Sequence, residues 1–399
     1  MASPDCVGMH LADLGAEVVK IEDPSREGGD YIRYAGMDAG ETSPNHAHWN
    51  RGKLSVALDL RNPEGVRTFL ELVAVSDAVV EGLRSGSLER RGLGFSTLKA
   101  TNARIVLVSV SGFGDSGPYR DLASHGFGFD AWAGLVHPEP DDQDRPSMPP
   151  HTHVGGIAGP LFGALALLAG VLTARQTGEG CALEVAQADV AAYWSAPELA
   201  TNKFASTSPG SADSHTRSPT GFEQGDNWQF LDATRYQFYS TLDRKHVLFM
   251  AIEPKFWERF ATAVNRPDLL TRFPVQGLTD PGCGDDDLRG ELKALFEERT
   301  QAEWTDFFLE ANVPGVPVNT VTDLIDDRHF INRARWLDPA VHGLPMLATP
   351  IRGRDSVYEP TAAPNQGEHT KEVLRDFLGY DDKRLASLQA SGALGKSAL

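Results

Sequence analysis

Two glycine-bearing loops are where this chain could do chemistry. In the first, the strand-like run Ile105–Val110 breaks into SGFGDSGPY and then SHGFGFDAWAGL, which carries His125. In the second, HTHVGGIAGP places Gly155-Gly156 at the head of an uncharged apolar stretch, Val154–Ala174. Imidazole titrates near neutrality, so a loop histidine is a candidate proton acceptor. Backbone N–H groups at a helix start favour negative charge, so Gly155 and Gly156 are candidate donors to a developing oxyanion. The two loops together could hold a small acyl group between a base and a helix N-terminus.

Other motifs carry less. GFGDSG at 112–117 fits the dinucleotide spacing G-x-G-x-x-G, but Pro118 follows it and no amphipathic helix opens there to receive a pyrophosphate. No NAD site is expected. His46/His48 and His151/His153 form H-x-H pairs, yet no acidic residue completes either as a metal site, and both pairs read as solvent-facing histidines. No G-x-S-x-G elbow is present. Glu253, just ahead of Pro254, reads as a carboxylate at a helix start. Cys6, Cys181 and Cys283 are too few and scattered for a disulfide framework or zinc, which suits a reducing cytoplasm.

The elements that must position these loops alternate. Residues 7–22 read as helix then strand, 51–60 as a strand, 63–76 as a helix opened by Pro63, and 77–81 as a short strand. A helix at 87–93 and the segment 95–100 lead to the strand Ile105–Val110. Strands alternating with helices imply α/β with a mostly parallel sheet. Residues 206–226, STSPGSADSHTRSPTGFEQGD, read as a linker. Beyond it, a hairpin over Tyr236–Met250 and the amphipathic runs FWERFATAV, LRGELKALFEERT and AEWTDFFLEA imply a smaller α+β domain over 227–325. The large domain is then 1–205 with 326–399.

With 37 basic against 55 acidic residues, the formal charge of −18 argues against nucleic-acid and anionic-membrane partners. The opening MASPDCVGMHLADLGAEVV lacks the basic segment of a secretory signal. Val154–Ala174 is long enough to span a bilayer but is Gly-rich, holds Pro160 and lacks flanking basic or aromatic anchors, so a buried helix is expected.

LADLGAEVVKIE, NRGKLSVALDL, SGFGDSGPY, TGEG after the apolar helix, VPVNTVTDL and GEHTKEVLRDFLGY resemble, in this order, the class III CoA-transferase family, the superfamily of formyl-CoA transferase and α-methylacyl-CoA racemase. The resemblance implies a Rossmann-like large domain built from both chain ends, a smaller domain, an interlocked homodimer, and an acyl-CoA thioester as substrate, with no metal. SHGFGFDAWAGL and MAIEPKFWERF resemble the racemase branch and imply catalytic roles for His125 and Glu253. CoA-contact positions of the family fall on Arg33, Leu58, Arg61, Leu83 and Arg90, and Gly82 stands where the family has asparagine.

One departure governs the expected chemistry. The family's catalytic aspartate, counted back from TGEG, falls on Gly155, and no carboxylate lies between His151 and Ala174. A covalent aspartyl intermediate would then lack its nucleophile. Three functions follow as expectations. The first is α-proton chemistry on a 2-substituted acyl-CoA, with His125 as base and Gly155-Gly156 holding the enolate. The second is CoA transfer by direct attack of an acceptor acid or with an Asp-bearing partner subunit. The third is non-catalytic acyl-CoA binding. Asp130 is the carboxylate that could take the vacant place.

Overall fold

The computed structural model describes residues 2–25, 29–35, 43–140, 145–207, 232–353 and 358–395. The expected linker, apart from residues 206 and 207, lies outside them. The chain divides into two compact units, 1–196 with 335–399, and 197–334.

The first unit opens with α1 (Ala2–Ala12), β1 (Val18–Glu22), α2 (Pro44–Asn50), β2 (Lys53–Ala57), α3 (Pro63–Ala74) and β3 (Ala78–Glu81). It continues through α4 (Ser87–Arg90), α5 (Phe95–Thr101), β4 (Val106–Ser111), α6 (Gly126–Trp132), the two-residue strands β5 (Glu139–Pro140) and β6 (Pro146–Ser147), α7 (Val154–Thr177), β7 (Ala182–Ala186) and α8 (Gln187–Trp194). Strand β1 pairs in parallel with β2, and β3-β4-β7 form a second parallel sheet. Side chains alternate along β4, so its two faces serve different cores. Val106, Val108 and Val110 pack with Val7 and Leu11 of α1 and with Ala164, Leu167 and Ala174 of α7. Leu107 turns to the other side, where α3, α5 and β2 meet. A strand covered on both faces loses the polar alternation of a half-exposed one, which explains the apolar run Ile105–Val108 at its start.

α7 is the one helix among the described residues long and apolar enough, by length and composition, to cross a membrane. One face is small: Gly155, Ala158, Gly159, Gly163, Ala164 and Gly170 are buried. A Cβ on Gly170 would meet Val106 Cγ1 at 2.7 Å, so the approach of this helix to β4 at that point requires glycine. Its other face leaves Ile157, Leu161, Leu165, Leu168 and Leu172 exposed. Gly170→Val is expected to lower stability by about 1–3 kcal/mol through overpacking. Gly290→Ala, where a Cβ meets nothing within 4 Å in a helix, is expected to raise it by about 0.5–1 kcal/mol. Urea unfolding of the two variants reads both signs.

The second unit contains α9 (Ala196–Thr207), β8 (Gln237–Ser240), β9 (His246–Phe249), α10 (Pro254–Ala263), α11 (Asp268–Arg272), α12 (Asp286–Phe296), α13 (Gln301–Ala311), β10 (Gly315–Pro317), α14 (Val321–Ile325) and α15 (Arg328–Arg333). The hairpin forms as expected, with Arg244 at φ 62° in its turn, and β10 adds antiparallel to β9. Its core is aromatic: Phe249, Trp257, Phe260, Phe296, Trp304 and Phe308 are buried together.

The chain returns to the first unit with β11 (Trp336–Leu337), α16 (Pro339–His342), β12 (Met346–Leu347), α17 (Thr370–Leu378) and α18 (Asp382–Ala390). This segment closes the free edge of β2. The His369 N–H donates to the Ser55 carbonyl (2.9 Å), and the Ala57 N–H donates to Thr370 Oγ1 (3.0 Å).

The first histidine pair differs from expectation. His46 lies in α2, which Ser43 caps and Pro44 opens, and it is 3% exposed. Its ring meets the Arg33 guanidinium (2.9 Å) and Asn50 (3.1 Å), so it is a core histidine and not a solvent-facing one. Burial first, then the Arg33 charge, pushes its pKa down to about 4. A histidine held neutral in the folded state contributes stability that is fully present above its unfolded pKa of 6.5 and lost as pH falls toward 4. At about 1.4 kcal/mol per unit this is roughly 3 kcal/mol. His46→Gln is expected to flatten the acid limb of stability between pH 6.5 and 4.5, measured by denaturant titration.

Candidate active site

Several residues singled out in the first unit follow the carboxyl ends of its parallel strands in the chain, the end at which α/β folds leave a crevice for ligands. Arg33 reaches Glu22 at the end of β1, Leu58 and Arg61 follow β2, Leu83 follows β3, and the His125 loop follows β4.

After β4 the chain turns through Gly114 and Gly117, both at positive φ, and Ser111 Oγ accepts from the Gly114 N–H at 2.9 Å. Glu184 of β7 accepts from the Asp115 N–H and ties the loop to the sheet. His125 is the N-cap residue of α6; it is exposed, and its ring makes no hydrogen bond among the described residues. Phe129 packs beneath the loop, edge-on to Phe113 at 5.5 Å.

Asp130, the next residue, is 0% exposed. Its Oδ1 accepts from the Gly155 N–H (2.7 Å), and its Oδ2 from the Val154 N–H (2.9 Å) and His151 Nε2 (3.2 Å). A carboxylate at a helix N-terminus satisfies two otherwise unpaired donors and complements the dipole. The sequence offered no signal for this cap, because its partners are backbone groups 24 and 25 residues away. The pairing corrects two expectations. Gly155 is not a free oxyanion donor, since its N–H is committed to Asp130. Asp130 does lie against Gly155, but sealed beneath it and not presented to a ligand.

The neighbouring glycines also differ in the room they leave. A Cβ on Gly155 would meet the Gln187 carbonyl oxygen at 2.7 Å and Asp130 Oδ1 at 3.2 Å, so no side chain fits there. A Cβ on Gly156 would have His153 Cβ at 3.5 Å and Gly126 Cα at 3.9 Å as its nearest neighbours. The open seat therefore faces the start of α6 from Gly156. Pro160 has no N–H to offer the Gly156 carbonyl.

The expected CoA contacts divide. Arg33 pairs with Glu22 (2.6 Å) and donates to the Pro364 carbonyl (2.9 Å) as well as meeting His46, so it is a strut inside the fold and not a free phosphate clamp. Burial would push Glu22 up, but Arg33, Ser55 and Lys20 outweigh it and hold its carboxyl below the usual range. The side chain of Leu58 is 1% exposed in the core, and its N–H donates to the Glu22 carbonyl, so it offers a ligand no free side chain. Leu83 is half-buried against the same core. Arg61 is exposed between Asp59 and Asp23. Arg90 is exposed and approaches Gly86 together with Arg120, a cation that sequence reading passed over. At Gly82 a Cβ would meet Pro4 Cδ at 2.8 Å, so packing of α1 excludes a larger residue. Glu253 is the N-cap residue of α10 in the second unit, and its side chain makes no cap hydrogen bond. No group of three metal-ligating side chains occurs among the described residues.

Comparison with known proteins gives a consistent result. The family profile described as CoA-transferase family III matches residues 1–370. The beta subunit of succinyl-CoA–L-malate CoA-transferase from Chloroflexus aurantiacus is 27% identical over 98% of this chain and 94% of its own length. Succinyl-CoA:mesaconate CoA-transferase from Haloarcula hispanica is 31% identical over 97% and 96%. Among solved structures, a CAIB/BAIF family protein from Brucella suis matches with a TM-score of 0.73 at 26% identity, covering 94% of this chain and 96% of that one.

Proposed function

Because the chain belongs to CoA-transferase family III, we propose that it moves coenzyme A from an acyl-CoA thioester to a carboxylic acid. The observation that carries this reading over α-proton chemistry is the pair of whole-length relatives named as CoA-transferases. The geometry agrees, since His125 has no orienting partner among the described residues, whereas α-proton abstraction would depend on it.

Transfer here runs without an aspartyl anhydride at position 155. The acceptor's carboxylate oxygen attacks the thioester carbonyl carbon, the C–S bond breaks, and CoA leaves through its sulfur. That sulfur then attacks the acceptor-derived carbonyl of the mixed anhydride, the C–O bond breaks, and the donor acid departs. Two anions must meet, and the N-terminus of α7 lies beside the open seat at Gly156 to favour them. Arg90 and Arg120 are the cations proposed to hold the phosphates of CoA.

The exposed apolar stripe of α7 supports an assembled enzyme, a homodimer or a heteromer with an Asp-bearing homologue. The relatives named as alpha and beta subunits of one transferase favour testing the second. Incubation with succinyl-CoA and a panel of dicarboxylic acids, with acyl-CoA products resolved by chromatography, tests the proposal. Deuterium uptake at the α-carbon of a 2-methylacyl-CoA without transfer would replace it by proton chemistry. Calorimetric CoA binding with neither activity would leave a binding protein.

A further inference from the structure

Three histidines stand at the junction of α6 and α7: His125, His151 and His153. His125 and His153 are exposed, while the side chain of His151 is 18% exposed. His151 alone among the three rings is held by a carboxylate, the fully buried Asp130. Phe127 braces the His151 ring edge-on, with centroids 5.5 Å apart, and meets His153 in the same manner at 5.2 Å. An ionised carboxylate only accepts hydrogen bonds, so the 3.2 Å contact requires the proton on His151 Nε2 and leaves Nδ1 as the acceptor. A partly exposed histidine whose tautomer is fixed by a sealed carboxylate has the arrangement of a general acid–base pair.

We propose that His151 is the catalytic histidine of this site and that Asp130 is its positioning residue. The proposal rests on the transferase reading. For the C–S step the Nδ1 acceptor first takes up a proton from solvent, and it passes that proton to the sulfur of CoA as the bond breaks. It takes that proton back when the sulfur attacks the anhydride carbonyl, so the cycle releases and consumes no net proton. Asp130 stabilises the imidazolium through Nε2. Its two other hydrogen bonds, to Val154 and Gly155, fix the pair relative to the head of α7.

The test uses the full-length protein. With succinyl-CoA and the accepted acid, His151→Gln is expected to lower kcat about 100-fold or more, with KM for the thioester changed less than about threefold. Thermal midpoint and calorimetric binding of free CoA are expected to stay unchanged. Asp130→Asn is expected to move the His151 proton from Nε2 to Nδ1, read from ring 15N shifts in NMR, with a matching loss in kcat. His151→Gln keeping more than about a third of wild-type kcat, or loss confined to His125→Ala, overturns the proposal. If wild type transfers CoA to no acid, the transferase reading fails. The ring shifts still decide the pair by themselves, since an Nδ1–H tautomer of His151 in wild type would sink it.

Discussion

Gly156→Asp is expected to leave the protein folded and to give it a covalent step, whereas Gly155→Asp is expected to break the junction between α6 and α7. The difference lies in what a side chain would meet. At Gly155 the Cβ would lie 2.7 Å from a backbone oxygen, which cannot retreat without moving the start of α8, and a new carboxylate would crowd the sealed Asp130. Overpacking costs about 1–3 kcal/mol, and an unpaired buried charge costs several more. At Gly156 the nearest atoms are at ordinary contact distance, and an aspartate there would face the His125 turn. Incubation with acyl-CoA and hydroxylamine, followed by peptide mass spectrometry, should find an aspartyl hydroxamate at 156 in the variant and none in wild type. A hydroxamate on Asp130 in wild type would identify that residue as the nucleophile. A stable, labelled Gly155→Asp protein would contradict the steric argument.

Arg51→Ala is expected to be the most destabilising single change far from the strand ends. Arg51 Nε and one terminal nitrogen meet the two oxygens of Asp13 at 2.8 and 2.5 Å, and the side chains are 2% and 3% exposed. Removing one partner of a buried pair strands the other, at a cost of about 3–5 kcal/mol. Arg51→Lys should recover little, because an ammonium cannot reproduce the two-pronged contact. Urea unfolding measures both, and a loss below about 1 kcal/mol would show that the pair contributes only as a surface one would. An effect on catalysis should follow, because the pair ties β2 to the segment just beyond α1. At its other end α1 carries Ser3, which bonds Gln187 at 3.1 Å, and Pro4, which fills the space over Gly82.

What could be read from the chain and what could not divide along a physical line. β4 was legible because burial on both faces writes itself as the apolar run Ile105–Val108, and α7 because its uncharged stretch is long, although one of its faces is exposed. The hairpin of the second unit was legible from its alternation around 242–245. The burial of His46 had a local signal, Ser43 followed by Pro44, which is a helix start; the H-x-H spacing drew attention away from it. The role of Asp130 had none, because a carboxylate that caps a distant helix pairs with backbone amides, and every residue has one. For the same reason sequence counting reached Gly155, while the choice between two adjacent glycines depends on where Gln187 places its carbonyl oxygen. Arg33 looked like a phosphate ligand because nothing in the sequence shows that Glu22 and Pro364 claim it first.

The edge of β2 is closed by residues 367–370, made 312 residues after the strand they cover. At a synthesis rate of about 5–20 residues per second, that edge waits on the order of 15–60 seconds on the ribosome with its amides unpaired. The second unit, which is one continuous stretch of the chain, can finish first. Nascent chains stalled before residue 367 should therefore engage chaperones through β1 and β2. Yield in a heterologous host should respond more to translation speed than to the stability of the finished protein.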